Sequence, residues 1–196
     1  MLRTAVIDND TLVYLTKLKH LKIFDSLRSL FQQIHIPQEI KREYEVQQGR
    51  EPDRVWILDR LRPNEGFYSF CTRYDKIVLT IIQGEKDIHK GEAEVFAQQK
   101  EVKAQYILSD DLKFHRAVKA IDSSVKILTT LHIIAMLDIR QFLTNSEEIV
   151  KALYPHYKFE SRDLRTAYKE SAKELGFDLS KKMLNDRCSF KKLGLK

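Results

Sequence analysis

The chain has 196 residues, of which 43% are hydrophobic and 32% are charged, and its formal net charge is +6. This composition is typical of one globular domain, or of one domain with a small extension, and no apolar run approaches the roughly 20 residues that a membrane span needs. Residues 181–196 carry six lysines and arginines against one aspartate, so +5 of the net charge lies in this C-terminal tail.

Apolar spacing in the first half of the chain predicts one strand followed by helices. In chain order, the predicted elements are a strand over 4–7, helices over 11–18 and 21–31, an extended segment over 34–36 and a helix over 38–47. Asp10 is the predicted N-cap of the first helix, because its side chain can accept hydrogen bonds from the exposed backbone N–H groups there. Pro37 favours the start of the helix that follows it. The stretch over 49–63 is charged and ambiguous.

The second half of the chain alternates helices with short buried strands. The predicted elements are helices over 74–82, 92–101, 112–121, 131–137 and 164–175, and strands over 106–108 and 125–128. Strands that alternate with helices predict an α/β fold with a mostly parallel sheet. Because the strand pattern disappears near residue 145, we predict a domain over 1–143 and a helical, basic C-terminal extension over 144–196.

Four acidic residues lie at positions from which an α/β fold can bring their side chains together in one site. Asp8 and Asp111 follow predicted strands, and parallel sheets bind ligands beyond the carboxyl ends of their strands. Glu92 lies in the first turn of its helix, and Glu43 lies six residues after Pro37. Clustered carboxylates repel one another, and Mg²⁺ and Mn²⁺ prefer hard oxygen ligands. The four acids together therefore predict a divalent-metal site for phosphate chemistry.

Each of these acids also has a purely structural interpretation. Glu43 can be a solvated helix residue, and Asp111 can cap the helix that follows it. Glu92 and Glu94 can complement a helix dipole. The structural interpretation is weakest for Asp8, because a carboxylate that closes a buried strand requires a partner. The functional interpretation therefore depends on the conjunction of the four acids.

The residues around these acids resemble the motifs of the PIN domain, a family of metal-dependent nucleases. Residues 6–12 resemble its first motif, an apolar strand followed by Asp-x-Ser/Thr/Asp, and residues 36–43 resemble its second, in which a proline precedes the acid by six residues. Residues 91–97 resemble the third motif in its Gly-Glu-Ala-Glu form. Residues 107–111 resemble the fourth, a strand followed by Ser/Thr-x-Asp or Asp-Asp. Residues 125–131 are similar to the strand and turn that follow, with threonine in place of the usual glycine.

The resemblance covers residues 1–143 and implies a three-layer α/β fold, with a central, mostly parallel sheet flanked by helices. It implies that the catalytic residues are Asp8, Glu43, Glu92 and Asp111. Of these, the residues implied to bind Mg²⁺ or Mn²⁺ are Asp8, Glu92 and Asp111. The residues implied to support the site are Asp10, Glu94 and Asp110. Asp10 departs from the serine or threonine that is common at its position.

The resemblance also implies a function and a setting. It implies a metal-dependent nuclease that hydrolyses phosphodiester bonds through a metal-activated water, and it favours RNA over DNA as the polymer. Many small members are toxins of toxin–antitoxin pairs, so an antitoxin or other regulatory protein is an expected partner. The sequence leaves open whether the chain forms a homodimer. The two cysteines, Cys71 and Cys188, lack metal-ligand spacing, which is typical of a reduced, cytoplasmic compartment.

Two other functions fit part of the pattern. Residues 8–12 also resemble the nucleophile motif of haloacid-dehalogenase-type phosphatases, in which Asp8 would attack phosphorus and Asp10 would act as general acid. That family places its closing acidic motif after a Ser/Thr-ended strand, whereas the acidic pair at 110–111 precedes the threonines at 129–130. The second alternative is a non-catalytic PIN-like module that binds a protein or a nucleic acid.

The basic tail has two interpretations. It can be a solvated terminus, or it can bind nucleic-acid phosphates. The candidate nucleic-acid-binding residues are Lys181, Lys182, Arg187, Lys191 and Lys192.

Overall fold

The computed structural model of the chain describes residues 3–18, 23–46, 66–84, 88–143, 145–157, 159–189 and 193–195. Within these ranges one sheet holds five strands in the order β3-β2-β1-β4-β5, and every neighbouring pair is parallel. The strands are β1 (Thr4–Ile7), β2 (Gln33–Pro37), β3 (Tyr68–Cys71), β4 (Tyr106–Leu108) and β5 (Lys126–Leu128). The predicted α/β class with a parallel sheet is therefore confirmed.

Helices flank the sheet. They are α1 (Asn9–Lys17), α2 (Ile23–Ser26), α3 (Gln38–Val46), α4 (Lys76–Gln83), α5 (Lys90–Glu101), α6 (Leu112–Ile121), α7 (Thr130–Ile139), α8 (Ser146–Leu153), α9 (Ser161–Leu175) and α10 (Lys181–Cys188). α5 lies against β1, β2 and β4, and the β1 residues Ala5, Val6 and Ile7 are fully buried, as expected for a covered parallel sheet. In the described ranges, the helices are too short or too polar to span a membrane.

Three local predictions were wrong or incomplete. The N-cap of α1 is Asp8, whose side chain accepts a hydrogen bond from the Asn9 N–H, so Asp10 lies in the first turn instead. The helix predicted over 21–31 is reduced to the short α2 and a 3-10 turn that directly follows it. β3 was not predicted, because it is a short edge strand with weak apolar alternation. The charged stretch over 49–63 lies outside the described residues.

The strand order places a switch point between β1 and β4. The chain builds the sheet outward from β1 through β2 to β3, and it then returns to the other side of β1 for β4 and β5. Ile7 pairs with Leu108 in this register, so the residues that follow both strands emerge side by side. In open α/β sheets, the crevice that binds ligands forms at such a point.

Most of the described residues beyond the predicted boundary at residue 143 lie in helices, as predicted. α9 lies along α7, where the Ser171 hydroxyl donates a hydrogen bond to the His132 carbonyl at 3.2 Å. α8 contacts both α1 and α7. These helices extend the core of the protein, and the division into 1–143 and 144–196 stays a prediction.

A buried carboxylate fastens α10 to this core. Asp138 on α7 is only 4% exposed, and it accepts a hydrogen bond from the Tyr168 hydroxyl at 2.7 Å. It also forms an ion pair with Arg187 on α10. A carboxylate in this position requires such partners, because burial removes its hydration.

Replacing Arg187 with methionine should lower the free energy of unfolding by about 2–3 kcal/mol, because Asp138 would stay buried with one partner fewer. Denaturant unfolding of the wild type and the variant measures the effect. A second change, Asp138→Asn, should recover part of the loss in the Arg187→Met background. The matched control is Lys181→Met, which removes an exposed charge from the same helix and should cost less than about 0.5 kcal/mol. If the Arg187→Met variant is as stable as the wild type, the ion pair between Arg187 and Asp138 does not contribute to stability.

Candidate functional site

A cavity of about 370 Å³ opens beside the ends of β1 and β4, at the switch point of the sheet. It is lined by Asp8, Asn9, Asp10, Ile40, Glu43, His89, Gly91, Glu92 and Asp111. Five of these nine described residues are carboxylates, and none of the nine is a lysine or an arginine. Negative charge therefore converges where a parallel sheet presents its ligand crevice.

Most of the acids singled out in the sequence meet at this cavity. The predicted site residues that line it are Asp8, Asp10, Glu43, Glu92 and Asp111. Glu94 and Asp110 are not among the lining residues, and both are hydrogen bonded to neighbouring elements. The individual roles of these residues stay predictions.

Asp8 closes β1 and is the most buried acid of the cavity, with 5% of its surface exposed. Its backbone N–H continues the strand ladder by donating to the Leu108 carbonyl at 2.9 Å. Its Oδ1 accepts a hydrogen bond from the Asn9 N–H at 2.6 Å, and its Oδ2 accepts one from the Ser109 hydroxyl at 3.0 Å. Burial, with a smaller contribution from the charge of Asp10, raises the pKa of Asp8 to about 7.

Glu92 lies in the first turn of α5, where it caps its own helix. Its Oε2 accepts a hydrogen bond from the His89 N–H at 2.8 Å, so the backbone holds this carboxylate at the cavity wall. Burial raises the pKa of Glu92, and the charge of Asp111 adds to the increase. A Cβ at Gly91 would lie 3.7 Å from Glu43 Oε1, so the missing side chain leaves space beside the neighbouring acid.

Asn9 and His89 line the cavity, although neither was predicted from the sequence to have a role in the site. Asn9 Nδ2 donates a hydrogen bond to Glu43 Oε2 at 3.1 Å, and this bond joins α1 to α3. His89 is exposed and is the N-cap residue of α5. Asn9 lies between two acids just after the end of β1, and this position could have predicted a role in the site. No sequence pattern predicts such a role for His89.

Asp111 is the N-cap of α6, and the cap orients its carboxylate. Its Oδ1 accepts hydrogen bonds from the N–H groups of Lys113 at 2.6 Å and Phe114 at 2.9 Å. Asp10 faces it from the first turn of α1, and burial raises the pKa of Asp10, followed by the charges of Asp111 and Asp110. The acids of the cavity therefore disfavour one another's charged forms.

Asp110 is held by donors from three separated parts of the chain. Its Oδ2 accepts hydrogen bonds from the hydroxyls of Thr11 at 2.8 Å and Thr130 at 2.5 Å, and its Oδ1 accepts one from the Thr130 N–H at 2.9 Å. The Tyr157 hydroxyl is a further donor, and burial and the charge of Asp110 raise the pKa of this tyrosine. Asp110 thus joins α1, α7 and the connection between α8 and α9 beside the cavity.

Glu94 contacts the beginning of α3. Its Oε2 accepts a hydrogen bond from the Glu39 N–H at 3.3 Å. Burial raises the pKa of Glu94, and this hydrogen bond opposes the increase. Because α3 also carries Glu43, the contact holds the helix that brings this acid to the cavity.

Oxygen donors and excess negative charge make the cavity chemically suitable for a hard divalent cation. In the described ranges, no three His, Cys, Asp or Glu side chains converge closely enough to form a ready-made metal cage. Mg²⁺ does not require one, because it keeps several waters and takes one or two carboxylates directly. The raised pKa values of Asp8, Asp10 and Glu92 mark repulsion and burial that a bound cation would offset. The donor set therefore fits Mg²⁺ or Mn²⁺.

The basic residues of the tail differ in their surroundings. Lys181 and Lys182 are exposed on α10, whereas Arg187 is engaged in the ion pair with Asp138. Residues 191–192 lie outside the described ranges. Binding of nucleic acid by the tail stays a prediction.

A protein-family model matches most of the chain. The model described as DUF3368, PIN domain, matches residues 4–174. The match includes all five strands of the described sheet and every acid that lines the cavity. No curated protein and no solved structure matches the chain significantly.

The raised pKa of Asp8 predicts a pH dependence of stability when divalent ions are absent. This pKa is about 7 in the folded chain and about 4 in an unfolded chain, so the folded state binds more protons between these two values. The contribution of Asp8 to stability should be complete below pH 4 and should fall by on the order of 4 kcal/mol as the pH rises through 7. Denaturant unfolding in EDTA measures it as the difference between the wild type and Asp8→Asn at each pH.

The matched control for this measurement is Asp178→Asn, which removes an exposed carboxylate far along the chain. This variant should keep the pH slope of the wild type. Equal pH slopes for the wild type and Asp8→Asn would show that the pKa of Asp8 is close to its ordinary value.

Removing the Tyr157 hydroxyl should lower the free energy of unfolding by about 1–2 kcal/mol, because a hydrogen bond to a charged group is lost. Unfolding of Tyr157→Phe, Asp110→Asn and the double variant measures the coupling between the two side chains. Tyr14→Phe is the matched control, since Tyr14 packs edge-on against the Tyr157 ring. Strictly additive losses in the double variant would argue against this hydrogen bond.

Proposed function

We propose that this chain, which belongs to the PIN-domain family, is a divalent-metal-dependent nuclease that hydrolyses phosphodiester bonds in RNA. The observation that carries the proposal is the meeting of five carboxylates around one cavity at the switch point of a parallel sheet. Such a cavity is electrostatically unfavourable without a counter-charge, and a divalent cation supplies one. The same cation would attract a phosphate group, which the carboxylates alone would repel.

The residues that would hold Mg²⁺ or Mn²⁺, directly or through waters bound to the ion, are Asp8, Glu92 and Asp111. When bound, the cation would lower the pKa of a water and stabilise negative charge on the phosphate oxygens. The chain keeps the three carboxylates oriented through the Ser109 hydroxyl, the His89 N–H and the first backbone N–H groups of α6. Side chains that are fixed in advance need little reorganisation when the ligand binds.

Glu43 and Asp10 have separate tasks in the proposed mechanism. Glu43 is tied to Asn9 by a 3.1 Å hydrogen bond, and we assign it the task of orienting the attacking water. Asp10 adds negative charge that strengthens cation binding. No side chain attacks phosphorus in this mechanism, so no covalent intermediate forms.

RNA is proposed over DNA because of the family resemblance. The same resemblance supports a toxin–antitoxin setting and an inhibitory partner protein as finer proposals. A cytoplasmic location is proposed from the two cysteines, and a homodimer is a further option for the assembly. Alternative outcomes for the test are a phosphatase that uses Asp8 as its nucleophile and a PIN-like module that binds without catalysis.

The test of this function incubates labelled single-stranded RNA and DNA with the protein in Mg²⁺, Mn²⁺ or EDTA. We expect cleavage of RNA that requires a divalent ion and falls more than about 100-fold in Asp8→Asn and Glu92→Gln. The matched control is Glu101→Gln, which removes an exposed carboxylate from the same helix as Glu92 and should leave the rate unchanged.

Three outcomes would contradict parts of the proposal. Cleavage that persists in both Asp8→Asn and Glu92→Gln would reject the site assignment. Hydrolysis of small phosphate esters without cleavage of either polymer would favour the phosphatase. Tight RNA binding without cleavage under any metal condition would favour the non-catalytic module.

A further inference from the structure

One helix that begins at the cavity presents a basic surface to solvent. α6 starts directly after Asp111, and its sequence contains no aspartate or glutamate. Its three basic residues, Lys113, Arg116 and Lys119, are all exposed. We call these three residues the α6 basic face.

Helical geometry places this face away from the core. Phe114 and Val118 are fully buried and fix the inward side of α6. Because one turn takes 3.6 residues, Lys113, Arg116 and Lys119 fall on the remaining, outward side. The face extends for about 9 Å along the helix axis, at 1.5 Å per residue. It therefore leads from the rim of the acidic cavity along the surface of the protein.

The charges of this face are available for a ligand. Neither Lys113 nor Arg116 forms an ion pair with another residue of the described ranges. Lys119 Nζ donates a hydrogen bond to the Ser123 carbonyl at 2.9 Å. Because a carbonyl carries no net charge, this contact does not neutralise the lysine. Exposed lysine and arginine side chains are the groups with which proteins bind nucleic-acid phosphates.

Two other basic residues close to the cavity share an acidic partner. Lys90, next to the lining residue Gly91, forms an ion pair with Glu39 at 3.0 Å. Arg42, next to Glu43, contacts the same Glu39 carboxylate at 3.3 Å. The α6 basic face differs from Lys90 and Arg42, because no carboxylate of the described residues forms an ion pair with it.

We infer that the α6 basic face binds the phosphodiester backbone of a single-stranded nucleic acid next to the bond that lies in the cavity. This inference rests on the proposed nuclease function. Five carboxylates repel a polyanion, and one divalent cation would offset only part of their charge. Contacts outside the cavity are therefore needed to attract the strand to it. The α6 basic face supplies it at the rim, where it also sets the direction in which the strand leaves the site.

Binding is tested in an Asp8→Asn background, so that the polymer stays intact. Affinity for an unstructured single-stranded RNA is measured at several salt concentrations in Mg²⁺, with and without Lys113→Gln and Arg116→Gln together. We expect the double change to weaken binding at least about tenfold near 0.1 M salt, and to reduce the slope of log K against log salt by about 1.4, at 0.7 per lost phosphate contact.

Two matched pairs of substitutions complete the design. Lys169→Gln with Lys173→Gln removes two exposed charges from α9 and should change neither affinity nor slope. Lys181→Gln with Lys182→Gln tests the tail in the same way and should have the smaller effect on the slope. A single-stranded DNA of the same sequence should depend on the α6 basic face equally, because both polymers share the phosphodiester backbone.

The outcomes separate this inference from the proposed function. An unchanged affinity and slope in the α6 variant, or a wild type that binds no RNA, would overturn the inference. If the wild type binds RNA through α6 but never cleaves it, the inference stands and the nuclease proposal fails. If the α6 variant cleaves RNA with unchanged KM, the nuclease proposal stands and the inference fails.

Discussion

The pairing of β1 with β4 is the constraint on which the rest of the structure depends. Ile7 lies opposite Leu108, and the Asp8 N–H extends the ladder by donating to the Leu108 carbonyl. This register sets Asp8 beside Ser109 and brings the beginnings of α1 and α6 to the same edge of the sheet. A slip of one residue would turn every side chain of the strand to the other face, and the acid would leave the crevice.

Several carboxylates in one cavity repel one another and so lower the stability of the fold. Hydrogen-bond donors at fixed positions in the chain offset part of this repulsion. Asp8, Glu92 and Asp111 each accept backbone hydrogen bonds at or near a helix N-terminus, where the helix dipole also favours negative charge. Asp110 differs from its neighbour Asp111, because hydroxyl and N–H donors from Thr11, Thr130 and Tyr157 occupy its carboxylate. Adjacent acids of the same type therefore have different physical surroundings, and only one of them lines the cavity.

The α/β class and the meeting of the acids were predictable, because both depend on local patterns. Asp8 and Asp111 each lie within three residues of the end of an apolar run, and their proximity follows from the geometry of parallel strands. β3 was missed because an edge strand needs no continuous apolar run, and Asp10 was taken for the cap because either acid before Thr11 could serve. The contact between Tyr157 and Asp110 joins residues 47 positions apart, and no local sequence pattern predicts such a contact.

The buried Asp138 has an evolutionary consequence for the end of the chain. The family match stops at residue 174, yet Arg187 on α10, beyond that limit, is the cation that pairs with this carboxylate on α7. A relative that lost α10 while keeping an acid at position 138 would carry a buried charge with only the Tyr168 hydroxyl beside it. We therefore expect relatives to keep both charges or to replace both.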